Sequence, residues 1–420
     1  MIEQLTRVGH IAAMHLYGAA LLLADRAFGH PRARAWRAMR RQAGLSEWAD
    51  ARPPGSVVWF HCASLGEYEQ ARPVMAAVRR SHPQFAFLLT FFSPSGHEPL
   101  TRKKPDFWRH ESDWLSALPL DTPRSVRPFM AALDGRIALF ATVKYEVWPV
   151  LLKALGPVPK AIFAAHIPSG HWLTRRWATG YRATWRRFDA VLVQTQDSVL
   201  RLAACGISGA EAMGDPRADR VLDIASTAPS FPGLQAWRAG HFTVVAGSTW
   251  PAEETALLAD PPERLVLVPH DLSANHLGQI KQQLLARRRE HLFTSAAGGA
   301  AVVAPNDDVQ VVVVDEMGWL AGLYALADAA VVGGGWGVGI HNTLEPAAHG
   351  VPVVTGPNIS RFQEALGLRD NGALRVAQQP EDLKREWEAF APAAGDQAKA
   401  FVLSSRGSAE RIAKRLEQIM

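Results

Sequence analysis

Residues 331–354 read Val-Val-Gly-Gly-Gly-Trp-Gly-Val-Gly-Ile-His-Asn-Thr-Leu-Glu-Pro-Ala-Ala-His-Gly-Val-Pro-Val-Val. An apolar, β-branched run over 329–332 enters a turn crowded with Gly333, Gly334, Gly335, Gly337 and Gly339, and a helix opens near Asn342. Strand, glycine turn and helix in that order let backbone N–H groups approach an anion at a helix start. The spacing is not G-x-G-x-x-G, because Ile340 stands where the third glycine belongs, and no G-K-[ST] follows, so the dinucleotide and P-loop fingerprints both fail. A phosphate-bearing ligand of another sort remains. Glu345, one helical turn in, is placed to accept hydrogen bonds from ribose hydroxyls. The competing reading is a glycine turn and capping network with no ligand. His341 and Glu345 also stand at i and i+4, the spacing of a metal pair, but no third ligand is near and the chain has no Asp-x-Asp. No metal is expected.

Outward from this stretch, short apolar runs recur between helical stretches. Residues 242–246, 265–268, 309–314, 329–332 and 352–355 read as buried parallel strands, and so do 56–61, 85–90, 136–141, 160–165 and 190–194 earlier in the chain. The prolines and small polar residues of 226–233 separate the two series. The fold expected is α/β: two doubly wound Rossmann-like domains facing a cleft, with ligand at the strand C-termini. The boundaries expected are a membrane-associating helix and basic flank over 1–41, an α/β domain over 42–224 that takes the acceptor, a linker over 225–240, and an α/β domain over 241–420 that takes the nucleotide sugar, its last helix able to pack back on the first domain.

The 420 residues leave room for two full cores, and 48% apolar with 20% charged residues is ordinary globular usage, so wholesale disorder is excluded. Cys62 and Cys205 stand alone, which writes neither a zinc cage nor a disulfide framework. A net charge of +5 permits an anionic partner. Residues 8–24 are apolar and uncharged if His10 and His15 are neutral, and Arg26, Arg32, Arg34, Arg37, Arg40 and Arg41 follow. At ~1.5 Å per residue the segment reaches about 25 Å, short of a ~30 Å hydrocarbon core, so it spans with snorkelling flanks or lies in the interface. The arginines place the rest of the chain on the cytoplasmic side against anionic lipid. A cleaved leader and a buried soluble helix are the rival readings.

Trp177, Tyr181, Trp185 and Phe188, interleaved with arginines, fall on one helical stripe and read as a packed face, so no nucleic-acid partner is expected. Arg102, Lys103 and Lys104 follow Ser-Pro-Ser-Gly-His-Glu (93–98) in an expected loop, as candidates for acceptor phosphates together with Ser95 and Gly96. No G-x-S-x-G elbow supports a serine hydrolase.

Seven blocks together resemble the 3-deoxy-D-manno-octulosonate (Kdo) transferase family: H-C-A-S-L-G-E (61–67), L-P-L-D-T-P (118–123), V-K-Y-E-V-W-P (143–149), G-D-P-R-A-D-R-V (214–221), G-S-T-W (247–250), D-E-M-G-W-L (315–320) and H-N-T-L-E-P-A (341–347). Their order and spacing match over roughly residues 1–370, and the variants look most like the Bacteroidetes-type branch. The resemblance implies a GT-B glycosyltransferase of lipopolysaccharide biosynthesis. It would move Kdo from CMP-Kdo to a lipid A precursor, with inversion and without metal or cofactor, at the cytoplasmic face of the bacterial inner membrane. It implies a general base at Glu67, with Glu146 the next candidate, and acceptor contacts at Ser64 and Gly66, Gly66 allowing a tight turn. Donor contacts would come from Gly247, Ser248, Thr249, Pro269, His270, Met317, Gly318, Trp319, Gly339, His341, Asn342, Thr343, Leu344 and Glu345, with Glu345 on the ribose and Met317-Gly318-Trp319 beside the base. His270 stands where the commoner family pattern has arginine, Lys144-Tyr145-Glu146 where it has Glu-Thr-Glu, and Ala165-His166 where it often has Asn-Ala-Arg. His270 meets donor charge only in part, by charge when protonated or by one ring N–H when neutral. The alternatives are a GT-B enzyme that uses another nucleotide sugar on a membrane lipid, and a homologue that binds without catalysing.

Overall fold

The computed structural model describes residues 2–41, 43–337 and 339–420. The chain divides into two compact units, Met1–Arg217 with Gly407–Met420, and Ala218–Arg406. The first unit is built on a parallel sheet of β1 (Val57–Cys62), β2 (Ala86–Phe91), β3 (Trp114–Ala117), β4 (Ile137–Val143), β5 (Lys160–Ala165), β6 (Ala190–Val193) and β7 (Ala210–Ala212), ordered 3-2-1-4-5-6-7. The second holds β8 (Thr243–Thr249), β9 (Arg264–Pro269), β10 (His291–Phe293), β11 (Val311–Val313), β12 (Ala329–Val332), β13 (Val353–Thr355) and β14 (Leu374–Val376), ordered 10-11-9-8-12-13-14. The central strands are buried along their length, because helices cover both faces of a parallel sheet and each residue must be apolar whichever way it points. Both series expected from the sequence are present. β3, β7, β10 and β14 were not anticipated; all are short strands at or next to the sheet edges, and an edge needs no apolar run.

The first sheet switches direction between β1 and β4, and the second between β8 and β12, with β11 inserted between β9 and β10 at its edge. The chain leaves these neighbours in opposite directions, and the gap between the two connections is where a doubly wound sheet holds its ligand.

The chain changes unit at residue 218 and returns at 407, whereas a linker was expected over 225–240. Within that interval Pro232–Arg238 is a helix whose Leu234 and Trp237 are buried in the second unit's core. The apolar pair outweighs the proline-rich composition around it. The last helix, Ser408–Glu417, belongs to the first unit: Ile412, Ala413 and Leu416 join the core beside the Leu65–Ser81 helix, and Arg415 pairs with Glu211 at 2.7 Å.

The N-terminal helix runs from Ile2 to Phe28, about 40 Å at ~1.5 Å per residue. It is long and apolar enough to cross a membrane, yet one face is docked on the first unit. Glu3 pairs with Arg187 at 2.5 Å, His10 with Asp121 at 2.9 Å, and Asp25 with Arg37. Ile11 and Met14 pack against the core. The opposite face leaves Leu5, Val8, Leu16 and Leu23 exposed.

The aromatic stripe is not continuous. Only Thr179–Trp185 is α-helix; Trp185 and Phe188 are buried, while Trp177, in a preceding 3-10 turn, is 66% exposed and stacks on Trp172. Residues 94–102 form a helix where a loop was expected, since Pro94 fits its first turn and the Ser93 hydroxyl accepts from the Ser95 N–H at 3.3 Å.

Candidate active site

In the first unit the connections leaving β1 and β4 carry the chemistry. β1 ends at Cys62, the chain turns through Ala63, and Ser64 caps the Leu65–Ser81 helix. Glu67, third in that helix, reaches back so that its Oε2 accepts from the Ser64 N–H at 2.7 Å and the Ser64 hydroxyl at 3.1 Å. The helix start therefore fixes the carboxylate. Gly66 was expected to make a tight turn; it is instead an ordinary helical residue, because the turn is made at Ala63 and Ser64. Gly96 provides the close approach: a Cβ there would lie 2.2 Å from the Phe91 ring and 3.1 Å from the Leu65 nitrogen. Only glycine lets the Pro94–Arg102 helix lie against the Ser64–Glu67 turn.

From β4 the chain turns at Lys144, whose φ of 59° is left-handed and whose N–H donates to the Phe163 carbonyl at 2.9 Å. A non-glycine residue held there is strained, and such strain gathers at functional sites. The turn brings Glu146 beside Glu67. Burial and then the Glu67 charge push the Glu146 carboxyl up to about 8. Burial also raises Glu67, but the Lys144 charge and hydrogen bonds from Ser64 and Ala63 draw it back. Two carboxyl groups this close ionise one after the other. The environment makes Glu67 the one that ionises first, and Glu146 keeps its proton through neutrality. The Cys62 thiol, fully buried between them and the core, is pushed far up and is inert. Burial alone would raise Asp215, but Arg217, at 2.6 Å, and the Lys144 charge bring it below the usual range.

The other acceptor candidates are dispersed. Ser64, Ser95 and Gly96 lie at the Glu67 turn, whereas Arg102, Lys103 and Lys104 end or follow the Pro94–Arg102 helix at its far end. Lys104 lines a cavity of about 440 Å³ with His97, Thr101, Trp108 and His110.

In the second unit the connections leaving β8, β9 and β12 converge. The left-handed Ser248 (φ 52°) bends the last residues of β8. A Cβ on Gly333 would lie 2.2 Å from the Ser248 carbonyl oxygen, and one on Gly247 would lie 2.2 Å from the Tyr324 hydroxyl. The indole of Trp250 stacks on His270 at 4.7 Å, and His270 lies 4.7 Å from His341. Pro269 is buried at the end of β9 and Thr249 at the end of β8, and the His270 N–H donates to the Thr249 carbonyl at 2.9 Å. Trp319 meets Phe231 edge-on at the start of the Leu320–Leu323 helix, Gly318 is left-handed at φ 96°, and Met317 is 84% exposed.

Two expectations about the glycine-rich turn are corrected. The helix after it starts at Leu344 and has only five residues, so Asn342 is not its first residue and Glu345 stands in the first turn. The reason is Asn342 itself: its side chain accepts from the Leu344 N–H at 3.1 Å and donates to Glu345 Oε1 at 3.1 Å, closing a local network. The Gly334 N–H, in turn, donates to Glu253 Oε1 at 2.7 Å. A carboxylate of the chain thus already occupies part of the anion nest. Gly339, left-handed at φ 118°, lies against Phe362, and Val338 lies outside the described residues. The buried Thr343 Oγ1 and His341 Nε2 have no hydrogen-bond partner among the described residues. Burial raises the Glu345 carboxyl, with the Asn342 amide and the Arg220 charge holding it back.

Lys144, Asp215, Trp250 and Glu253 went unnamed as site residues in the sequence reading. Trp250 closes Gly-Ser-Thr-Trp, Lys144 stands in Val-Lys-Tyr-Glu and Asp215 in Gly-Asp-Pro-Arg, so the motifs contained these three, and Glu253 lies three residues beyond Trp250. Side-chain direction, which the motifs do not give, selects them. Among the described residues no three His, Cys, Asp or Glu side chains gather as a metal site.

The N-terminal model of the 3-deoxy-D-manno-octulosonic-acid transferases (kdotransferases) matches residues 33–220. The chain is 28% identical to the 3-deoxy-D-manno-octulosonic acid transferase of Bordetella pertussis across 91% of this chain and 94% of that one. It is 26% identical to that of Haemophilus influenzae across 86% of each, and 28% identical to that of Aquifex aeolicus across 71% and 76%. Among solved structures, a UDP-N-acetylglucosamine 2-epimerase-like protein of Listeria monocytogenes superposes with a TM-score of 0.56 at 12% identity, covering 86% of this chain and 96% of that one. Anabaena HepE in complex with UDP and glucose superposes with a TM-score of 0.52 at 14% identity, covering 86% and 100%. At such identities these two show the fold alone. Seven motifs in register, the two switched parallel sheets and the relatives that run along most of its length make this chain a glycosyltransferase similar to the 3-deoxy-D-manno-octulosonic-acid transferases.

Proposed function

We propose that the protein transfers Kdo from CMP-Kdo to a lipid A precursor in lipopolysaccharide biosynthesis, at the cytoplasmic face of the bacterial inner membrane. The observation that carries the reading is the Glu67–Glu146 pair at the β1/β4 switch: two buried carboxyl groups, Glu67 fixed by the helix start and Glu146 pushed up to about 8 by burial and then by the Glu67 charge. A sugar hydroxyl is a poor nucleophile until its proton has somewhere to go. Glu67 Oε2 is taken up by Ser64, so Oε1 is the oxygen that accepts that proton. The acceptor oxygen forms its bond to the Kdo anomeric carbon from the side opposite CMP, the bond to the phosphate oxygen breaks, and CMP leaves with the electron pair. Direct displacement inverts the anomeric centre. The second unit supplies the CMP site: Glu345 for the ribose, and the Ser248–Thr249 turn with His270 and His341 for the phosphate. No step in this scheme calls on a metal.

Incubation of the protein with CMP-Kdo and a lipid A precursor, followed by mass spectrometry of the lipid, tests the reading; CMP release without lipid glycosylation would overturn it. A second reading, another nucleotide sugar on a membrane lipid, is favoured only by the Trp250–His270–His341 stack in place of a guanidinium. A panel of nucleotide sugars in the same assay separates the two.

Glu345→Ala should leave the fold intact and weaken CMP binding by ~1–3 kcal/mol, the range for polar partners left unmet. Unchanged affinity by calorimetry would remove Glu345 from the ribose.

The helix at 2–28 lies along the membrane surface in this reading. Its docked face carries ion pairs at Glu3 and Asp25 and a polar contact at His10 that a helix crossing the bilayer would have to give up, and its outer face is an apolar strip. Replacing Leu5, Leu16 and Leu23 together by Glu should move the protein from the membrane pellet to the supernatant at unchanged thermal stability. Retention in the pellet through a high-salt wash would assign the attachment to another surface.

A further inference from the structure

The N-terminal helix touches the Glu146 segment by two routes, and neither is needed for attachment to a membrane. The first runs through Asp121. This buried carboxylate accepts from the Val150 N–H at 3.0 Å and the Leu151 N–H at 2.8 Å, so it caps the Pro149–Ala154 helix that begins just after Glu146-Val147-Trp148. His10 Nε2 lies 2.9 Å from the same carboxylate, with the two side chains 9% and 1% exposed. The contact is out of line for a straight hydrogen bond, so close packing carries it. His10 Nδ1 lies 3.4 Å from the Tyr181 hydroxyl, which locates the ring from its other side. The second route is aromatic. Trp148 meets the His10 ring edge-on at 6.4 Å and packs on Phe92 at 4.9 Å, and Phe92 in turn stacks on Tyr17 of the same N-terminal helix at 5.7 Å.

We infer that the seated N-terminal helix is a positioning element for the carboxylate pair: His10, through Asp121 and Trp148, holds the segment that places Glu146 beside Glu67. This rests on the transferase reading. Glu146 has little else to fix it on the C-terminal side, since its backbone is tied by the Val143 carbonyl at 3.4 Å and the Thr142 hydroxyl at 3.3 Å, both upstream. Removing His10 leaves the buried Asp121 carboxylate without its polar neighbour and a void against Trp148, and the helix start that follows Glu146 loosens. Positional errors of about 1 Å at a reacting group cost on the order of 10²-fold in rate. The helix that meets the lipid surface is thereby also a part of the active site's support.

The test uses the full-length protein in detergent micelles with lipid A precursor, where membrane recruitment is not limiting. His10→Ala should lower kcat about tenfold or more with the KM for CMP-Kdo within twofold. His10→Gln, which fills the space and offers an N–H to Asp121, should recover a large part of the loss. Hydrogen exchange read by mass spectrometry, which needs no turnover, should show faster exchange over 145–151 in His10→Ala and no change in residues 243–355. Unchanged exchange over 145–151, or an unchanged kcat in a folded His10→Ala protein, overturns the inference. So does a loss shared by kcat and donor KM that Gln does not rescue, because that is general destabilisation. A parent protein without Kdo transfer sinks the transferase reading instead, and the exchange result then decides this inference alone.

Discussion

Glu67→Gln should slow Kdo transfer by about 10²–10⁴ in a single turnover at saturating CMP-Kdo and acceptor, the usual cost of removing a general base. The substitution is close to neutral for the fold. An amide oxygen can still accept from the Ser64 N–H and hydroxyl, so the cap that holds the Leu65–Ser81 helix start persists. What is lost is the oxygen that takes the acceptor proton. CMP affinity should be unchanged, since the proposed CMP contacts lie in the other unit. There is a competing account in which Glu67 is only a capping residue, and the structure makes that account concrete by showing the cap. The two differ in what they expect of Gln: a cap tolerates it, a base does not. A rate within about threefold of the parent, in a protein with the parent's thermal midpoint, would leave Glu67 as a cap and move the base to Glu146.

The second large effect is on stability. Glu146 keeps its proton to about pH 8 in the folded protein, because burial and then the neighbouring Glu67 charge disfavour the ionised form, whereas the unfolded chain releases it near 4.5. A group whose pKa is raised by folding stabilises fully below its unfolded value, and that contribution is lost as pH rises through the folded one. The parent should therefore lose stability between about pH 4.5 and pH 8, by roughly 3–5 kcal/mol in all, since each pH unit across that window costs about 1.4 kcal/mol. Glu146→Gln, which carries no proton to lose, should flatten the curve and be the more stable protein at about pH 8. Unfolding midpoints for both proteins across roughly pH 5 to 9 measure this. Parallel curves would mean that Glu146 is ionised in the fold and that the carboxylates are not coupled. The same variant should keep most of its transfer rate at neutral pH if the protonated neighbour orients Glu67, since the amide, like the protonated carboxyl, is neutral and carries a donor.

Much of this was legible from residue order. The glycine crowd at 333–339 after a β-branched run marks a strand-to-helix turn that brings backbone close to something, and it does: Gly333 meets the Ser248 carbonyl oxygen and Gly335 meets Gly356. Its partner could not be read. The sequence offers a phosphate, whereas Glu253, 81 residues away, claims the Gly334 N–H. Asn342 shows the same limit from the other side. It reads as the opening of a helix, and its side chain instead closes a loop onto Glu345. Local hydrogen bonds compete with helix formation at such residues, and only the packing around them settles which wins.

The sequence by itself determined the two parallel sheets and their central strands as separate runs, because apolar periodicity and turn chemistry are properties of neighbours along the chain, and its resemblance to a known family singled out Glu67 and Glu146 as candidates. Tertiary structure decided the rest. The β1/β4 and β8/β12 reversals, the edge strands, and the return of residues 407–420 to the first unit depend on which strands pair, and pairing is non-local. The charge states of the carboxylates were equally invisible: a glutamate's proton affinity is set by desolvation and by the charges around it, and Glu67 and Glu146 are 79 residues apart in sequence yet neighbours in space. The apolar helix at 2–28 is the plainest case, since hydropathy gives a membrane helix and only the fold shows that one of its faces, through His10 and Asp121, belongs to the protein.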